Sequence, residues 1–440
     1  MSFLSKVYKV YKYDNPYFKR INKIFLEYNG ASLDEIQSYQ VDKLKSLLIE
    51  SFKYVPYYHK LFDECGFNPE RFSNLDDLCK IPILTKKDIN TNRNDLISKN
   101  YQNKKLVEIS TGGTTGTPMV LYFSKQSKYV RIGNWTKWKK VSGVDFKNDR
   151  YCYIGKILNS DFPIKKDQLN DIILFASNKM TEPNILKLIE ELKIFKPVYI
   201  QGYASALYIL ATGIKKLNID VSQLRLKAIL TSSDTLFPTY RDTIEKVFNC
   251  KVFDHYGQNE DCIVGTECEL HNGYHIHEET TYAEVIDLIS NRPSDAIGKI
   301  VGTNLWNYAM PLIRYEIGDV GRLVSESCEC GSKHRRILDF QGRLDDIIKL
   351  PDGTPISAGS LNQPMKKSVQ EIIEIQYIQK SINSLDINIV PDVHFSQKTI
   401  EKFSRELENL IGNNLEIQFK IVDSIPREKN GKYRFIKSEL

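Results

Sequence analysis

Between residues 171 and 256 the chain alternates short apolar runs with amphipathic stretches, and few architectures accept that pattern. Asp171-Ile-Ile-Leu-Phe-Ala precedes a predicted helix over 182–195, and Val198-Tyr-Ile-Gln-Gly-Tyr precedes one over 204–217. Leu226-Lys-Ala-Ile-Leu-Thr-Ser-Ser-Asp234 leads into a helix over 239–248, and Lys251-Val-Phe-Asp-His-Tyr256 is the next strand. Repeated strand–helix units build an α/β sheet whose ligands bind at the carboxyl ends of the strands. Two of those ends are polar, Thr231-Ser-Ser-Asp234 and Asp254-His-Tyr-Gly-Gln-Asn-Glu260, and a ligand is expected there.

The flanking segments read differently. Residues 34–64 carry Leu44, Leu47, Leu48 and Phe52 at helical spacing, with Gly66 suited to a C-cap. Short helices are expected at 74–78 and 82–88. From Tyr282 the chain turns β-rich, through Gly298-Lys-Ile-Val-Gly302 and Val320-Gly-Arg-Leu-Val324 to Gly342-Arg-Leu-Asp-Asp346. A small α+β unit follows, with strands near 371–380, 385–390 and 416–422. Its helix, over about 396–411, sets Ile400, Phe403, Leu407 and Leu410 on one face and stops at Gly412. The expected fold class is therefore α/β. Residues 1–343 would form a large N-terminal domain with α/β sheets and a β-rich subdomain, and 344–440 a small C-terminal one.

Ser110-Thr-Gly-Gly-Thr-Thr-Gly-Thr-Pro118 lies between two predicted strands, 106–110 and 119–123. Glycines let a backbone approach a ligand closely, and exposed N–H and hydroxyl groups supply donors for a polyphosphate. The G-x-x-x-x-G-K-[ST] order and its following helix are missing, so this is not a P-loop. Taken alone, the segment is equally a polar turn.

Composition removes several classes. The net charge of +6 comes from 61 basic and 55 acidic residues dispersed along 440, which argues against nucleic acid as a partner. No run approaches a transmembrane span and the N-terminus lacks signal-peptide features, so a cytoplasmic protein without a membrane segment is expected, monomeric or homodimeric. The first twenty or so residues, basic and aromatic, are expected as a helix packed on the domain, the alternative being a segment lying on a membrane surface. The 8 cysteines are unevenly spaced, suggesting reduced thiols rather than a disulfide framework. Cys328-Glu-Cys330-Gly on a turn, with Cys268, His271, His275 and His277 upstream, offers a Cys₃His zinc site or a set of half-buried thiols with surface histidines.

Ser110–Pro118, Tyr256-Gly-Gln-Asn-Glu260, Arg314-Tyr-Glu-Ile-Gly-Asp319, Gly342-Arg-Leu-Asp-Asp346 and Asn430-Gly-Lys432 together resemble, in order and spacing, the motifs of the adenylate-forming ligases. That superfamily includes acyl-CoA synthetases, peptide-synthetase adenylation domains and luciferases. Pro56-Tyr-Tyr-His-Lys, Leu75-Asp-Asp-Leu-Cys-Lys-Ile-Pro82 and Asn307-Tyr-Ala-Met-Pro-Leu-Ile-Arg-Tyr315 look like the phenylacetate–CoA ligase branch. Pro351-Asp-Gly353 and the C-terminus look closest to its CapK-type, capsule-biosynthesis relatives.

The resemblance implies the adenylate-forming fold with a mobile C-terminal lid, and a two-step reaction. A small carboxylic acid attacks the α-phosphate of ATP, and an acceptor then takes the acyl group from the adenylate. By the same resemblance Ser110, Thr111, Gly112, Gly113, Thr114, Thr115 and Gly116 would cradle phosphates, with Thr115 catalytic. Met119 stands where many members carry lysine. Tyr256 and Gly257 would meet adenine, with Ser232, Ser233 and Asp234 on the ring's other side. Glu260 would bind Mg²⁺, Asp319 the ribose hydroxyls, and Arg343 ribose or phosphate. For Asp319 the alternative is a turn-forming residue after Gly318. Asp345 would be the hinge and Lys432 the cation that meets charge during adenylation. Many members of the branch have the C-x-C-G and upstream Cys–His pair, and Cys268 with His275 matches that spacing best beside Cys328 and Cys330. Trp135, Trp138, Tyr199 to Tyr203 and 231–234 would line the acyl pocket, and the aromatics equally read as core. The acceptor is CoA or an amine or hydroxyl of a sugar or amino acid. A scaffold that binds nucleotide without catalysis is the third alternative.

Overall fold

The alternating segment forms a parallel sheet in the computed structural model, which describes residues 13–110, 119–156, 162–288, 290–344, 347–366, 371–412, 415–428 and 432–440. Ala228–Ser232, Tyr199–Tyr203, Tyr151–Gly155 and Ile172–Ala176 lie side by side, and Ile164–Asp167 pairs antiparallel at the edge. Helices Glu182–Phe195, Ala204–Lys216 and Pro238–Phe248 return between strands, within a residue or so of expectation. Each buries one stripe; in the first it is Ile185, Leu188, Ile189 and Leu192.

The chain divides into two units, each discontinuous in sequence. One joins residues up to Asn148 with His255–Asp339; the other joins Asp149–Asp254 with Phe340–Leu440. One of the divisions falls at 339/340, near the 343/344 boundary expected from the sequence, and residues 149–254 share a unit with the C-terminal segment. In the second unit one apolar cluster runs from Ile154, Phe175 and Ile229 to Tyr377, Phe403, Leu407 and Phe435. The Phe237 and Phe435 rings lie 4.9 Å apart. The C-terminal segment has its own sheet, in the order Glu416–Ile421, Ser384–Pro391, Ile372–Ser381 and Ile436–Ser438. Its helix Gln397–Ile411 buries Thr399, Phe403, Leu407 and Ile411 and ends at Gly412, whose N–H donates to Glu408 O. Ile400 and Leu410, expected on that face, are half-buried on its flanks.

In the first unit, helix Leu33–Tyr54 starts at a capping box between Ser32 and Glu35, and helix Pro56–Cys65 stops at Gly66, with φ 66°. Of the two short helices expected near 74–88, the first is a 3₁₀ segment, Leu75–Lys80, and the second is Lys86–Thr91. The strands run in the order Thr281–Ile286, Gly298–Asn304, Tyr315–Val324, Arg336–Arg343, Tyr274–Ile276 and Val264–Thr266. Val264–Thr266 pairs antiparallel with 255–257. Helix Lys125–Val141 has no clean apolar stripe in sequence; it buries Ser127, Asn134, Thr136 and Lys139 beside Tyr129, Val130 and Trp138. A Cβ on Gly133 would lie 2.9 Å from Ile21 Cγ2, so this glycine lets helix Pro16–Glu27 pack close. Among the described residues no helix is long and apolar enough to cross a membrane, and all eight cysteines are free thiols.

Candidate active site

Strands Val107–Ser110 and Val120–Phe123 pair antiparallel, with Ser110 opposite Val120, so the Gly-rich segment joins two hydrogen-bonded strands as expected. Ser110 is exposed and Met119 fully buried. Thr111, Gly112, Gly113, Thr114, Thr115 and Gly116 lie outside the described residues, as do Asp345, Asn430 and Gly431.

Three residues of the Arg314-Tyr-Glu-Ile-Gly-Asp319 motif reach three different partners in the first unit. Arg314, at φ 52°, pairs with Glu284 at 3.0 Å. Tyr315 Oη donates to Glu260 Oε1 at 3.4 Å. Asp319 Oδ2 accepts from Tyr256 Oη at 2.7 Å. Asp319 is not in a turn. Lys299 faces Val320 and Val301 faces Glu316, so Ile317, Gly318 and Asp319 together oppose Ile300 in a β-bulge. Gly318 takes φ 86° there, a conformation glycine adopts without strain. A bulge re-aims a side chain; this one sets the carboxylate against Tyr256.

The loop after Tyr256 is tied down on both sides. Arg131 Nε, from helix Lys125–Val141, donates to Asp261 Oδ2 at 2.6 Å, and its guanidinium also reaches Asn259 O. Burial pushes the Asp261 carboxyl up while Arg131 draws it back. From strand Gly298–Asn304, Asn304 Nδ2 donates to Glu260 O at 3.5 Å. Glu260 is half-buried on this braced loop, and its hard carboxylate oxygens suit Mg²⁺.

In the second unit Ser232 ends its strand and Ser233 has φ 78°. Asp234 caps helix Ala204–Lys216. Its Oδ1 accepts from Ala204 N at 2.6 Å, and its Oδ2 accepts from both the N–H and the hydroxyl of Ser205. Burial raises its carboxyl above the usual range, against Ser205 and the charge of Lys432, which lies in the same unit. Arg343 is exposed at the end of strand Arg336–Arg343, after Gly342 with φ 94°.

Cys268, His275, Cys328 and Cys330 converge, with their ligand atoms all within 4.8 Å of one another. Cys268 Sγ lies 3.9 Å from Cys328 Sγ, and His275 Nε2 lies 3.6 Å from Cys330 Sγ. A tetrahedral zinc with Zn–S near 2.3 Å sets its ligand atoms roughly 3.5–3.8 Å apart, so the donor set fits that ion. Burial, helped by Arg336, pushes His275 down to about 4, which keeps a neutral ring nitrogen ready to ligate. The neighbouring histidines do other work: His277 meets Thr266 and Asn134, and His271 meets Glu267.

Two groupings join residues whose contact with one another the sequence does not announce. His255 packs against Trp138 and Trp135, with centroids 5.0 and 5.7 Å away. Glu278 and Glu279 are buried with Lys137, His334 and Arg335, which come from distant parts of the chain.

Residues 348–439 match the CapK C-terminal domain. Protein CapK of Staphylococcus aureus is 25% identical over 448 residues, spanning 99% of this chain and 95% of that protein. The phenylacetate–coenzyme A ligase of Thermus thermophilus is 25% identical over 435 residues, spanning 91% and 96%. Among solved structures, 2-hydroxyisobutyryl-CoA ligase in the postadenylation state superposes with a TM-score of 0.77 at 18% identity, covering 93% of this chain and 91% of that one. The chain is thus a homologue of CapK and the phenylacetate–coenzyme A ligases, carries a CapK-type C-terminal segment, and has the fold of the adenylate-forming ligases.

Proposed function

We propose that this protein is an AMP-forming carboxylate ligase that makes an acyl-adenylate from a small carboxylic acid and ATP and passes the acyl group to coenzyme A. The observation that carries the reading is the pairing of Tyr256 with Asp319 beside Tyr315 and Glu260 in one unit. An aromatic face, a two-oxygen acceptor and a braced carboxylate are what a base, a vicinal diol and a metal-bound phosphate require. Sequence similarity over nearly the whole chain supports it.

On this reading Tyr256 stacks on adenine and Asp319 accepts from the ribose hydroxyls. The Tyr256 hydroxyl holds one carboxylate oxygen at 2.7 Å and so orients the other. Mg²⁺ held at Glu260 would neutralise phosphate charge as pyrophosphate departs. Lys432 supplies a cation to the developing charge during adenylation, and 110–116 holds the leaving phosphates through backbone and hydroxyl donors. A zinc ion held by Cys268, His275, Cys328 and Cys330 would be structural, because four protein ligands would leave no position for substrate.

ATP–pyrophosphate exchange across a panel of acids tests the reaction, and no exchange with any acid despite measurable ATP binding would leave only a nucleotide-binding scaffold. Repeating the panel with and without coenzyme A tests the acceptor. The CapK-type C-terminal segment favours a second reading, an amine or hydroxyl of a sugar or amino acid; adenylation without thioester formation would select it.

Asp319→Asn keeps the shape and removes the charge. It is expected to raise the KM for ATP about 10- to 100-fold, the scale of a hydrogen bond to an ionised group. An unchanged KM would remove Asp319 from the ribose site. Protein purified under reducing conditions is expected to hold about one zinc per chain, lost in Cys328→Ser. Metal analysis decides; absence of zinc from the parent refutes the site.

A further inference from the structure

A solvent-open groove of about 470 Å³ lies between the 94–106 segment and one face of the hairpin Val107–Ser110 and Val120–Phe123. That volume is in the range of small-molecule sites. Its walls are anchored by the backbone. The N–H of Ser98, a buried residue, donates to Ala309 O at 2.9 Å, and the 3₁₀ turn Lys99–Tyr101 follows. On the hairpin, Glu108 stands directly opposite Tyr122, so the carboxylate and the phenol share the groove face, while Leu121 and Phe123 are buried on the other.

The lining restricts what can fill this space. Tyr101, Tyr122, Ile97 and Leu106 are half-buried and offer apolar surface. Lys104 and Glu108 are exposed and bring one positive and one negative charge. The other polar side chains, Asn94 and Gln102, are neutral amides. Lys104 Nζ lies 4.4 Å from the centre of the Tyr101 ring, which keeps the amine on the aromatic wall. Among the described residues neither Lys104 nor Glu108 has an ion-pair partner, and the two do not pair with each other although both face the groove.

We propose that this groove binds a free amino acid with an apolar or aromatic side chain. The ligand's carboxylate meets Lys104, its ammonium meets Glu108 beside the Tyr122 ring, and its side chain lies against Ile97, Leu106 and Tyr101. A zwitterion answers both charges at once, and the Tyr122 ring adds a cation–π contact to the ammonium. A simple carboxylic acid or amine answers one charge and leaves the other unmet. A phosphate ester would meet Lys104 but be repelled by Glu108, and a neutral sugar would use neither charge. None of these residues is assigned to adenylation, so the site stands independently of that reading.

Calorimetric titration of the full-length protein with the apolar and aromatic amino acids tests the proposal, with 3-phenylpropionate and phenethylamine as analogues of phenylalanine lacking one charge each. At least one amino acid is expected to bind saturably, and phenylalanine at least about tenfold more tightly than either analogue, the scale of one charge-assisted hydrogen bond. Lys104→Met is expected to remove the preference for phenylalanine over phenethylamine, and Glu108→Gln the preference over 3-phenylpropionate. Added salt should weaken binding of the amino acid, since both contacts are exposed ion pairs. Both substituted side chains are exposed, and thermal melts confirm that the variants fold. No saturable binding by any amino acid, equally tight binding of either analogue, or binding that neither variant changes overturns the proposal.

Discussion

Lys432→Ala is expected to slow acyl-adenylate formation by about 10²–10³-fold, the scale of removing one preorganised charged donor from a transition state. Transfer from preformed adenylate to the acceptor should change by less than about threefold, because a cation placed for the first half-reaction contributes nothing to the second. Lys432 is half-buried, and its charge acts on Asp234, the cap of helix Ala204–Lys216. ATP–pyrophosphate exchange reads the first step; single-turnover transfer from synthetic adenylate reads the second. Equal loss in both would mean that Lys432 serves both half-reactions, and its assignment to the adenylation step alone would fall.

Arg335→Leu is expected to destabilise the protein by about 3–5 kcal/mol, because it leaves a buried carboxylate without its main partner. Glu278 is fully buried, and its Oε1 accepts from Arg335 Nε at 2.6 Å, while its Oε2 accepts from the Arg335 backbone N–H at 3.1 Å. The Arg335 guanidinium also lies 5.4 Å from the Tyr282 ring. Burial alone would raise the Glu278 carboxyl, but Arg335 and then His334 overcome it and hold the group down at about 2, against an ordinary 4.5. A carboxyl lowered on folding contributes stability above its unfolded pKa and loses it as pH falls through the folded one. In the parent, that contribution is present above 4.5 and disappears toward 2. Without Arg335 the burial effect prevails, the folded pKa rises, and the sign reverses. The variant's deficit should therefore be larger near pH 7 than near about pH 4, where the carboxyl is increasingly protonated in both states. Denaturant melts at both pH values decide it. Replacing Glu278 and Arg335 together by leucine should recover much of the loss, since the cost lies in the orphaned charge; a double variant as unstable as the single would contradict this account.

Both buried partners of that pair were unreadable beforehand. Glu278 and Arg335 are far apart in sequence and belong to no spacing rule, and charged residues are ordinarily assigned to the surface. The same applies to Asp234. A polar strand end reads as a place for a ligand, and nothing in the spacing announces that both Asp234 oxygens also accept from the helix that begins at Ala204. The conformation at Asp319 is likewise decided by long-range pairing. Next to Gly318 it reads equally well as a turn, and only the register of strand Tyr315–Val324 against Gly298–Asn304 makes the pair a bulge.

Residue order alone specifies features that are local or periodic. Helices Glu182–Phe195, Ala204–Lys216 and Pro238–Phe248 and the strands between them follow from apolar spacing, because burial of one stripe or run rewards that spacing wherever the segment packs. The Cys328-Glu-Cys330-Gly turn was equally legible, since two thiols on one turn need no tertiary contact to be neighbours. The remaining features join groups with no energetic reason to meet until the chain is folded. Helix Lys125–Val141 buries polar residues that no amphipathic pattern announces, and it brings Arg131 to Asp261 and Trp138 to His255. The division into units is of the same kind: Phe237 and Phe435 share one core. Such contacts depend on long-range packing, and a hydrophobic pattern states that a face is buried without stating against what.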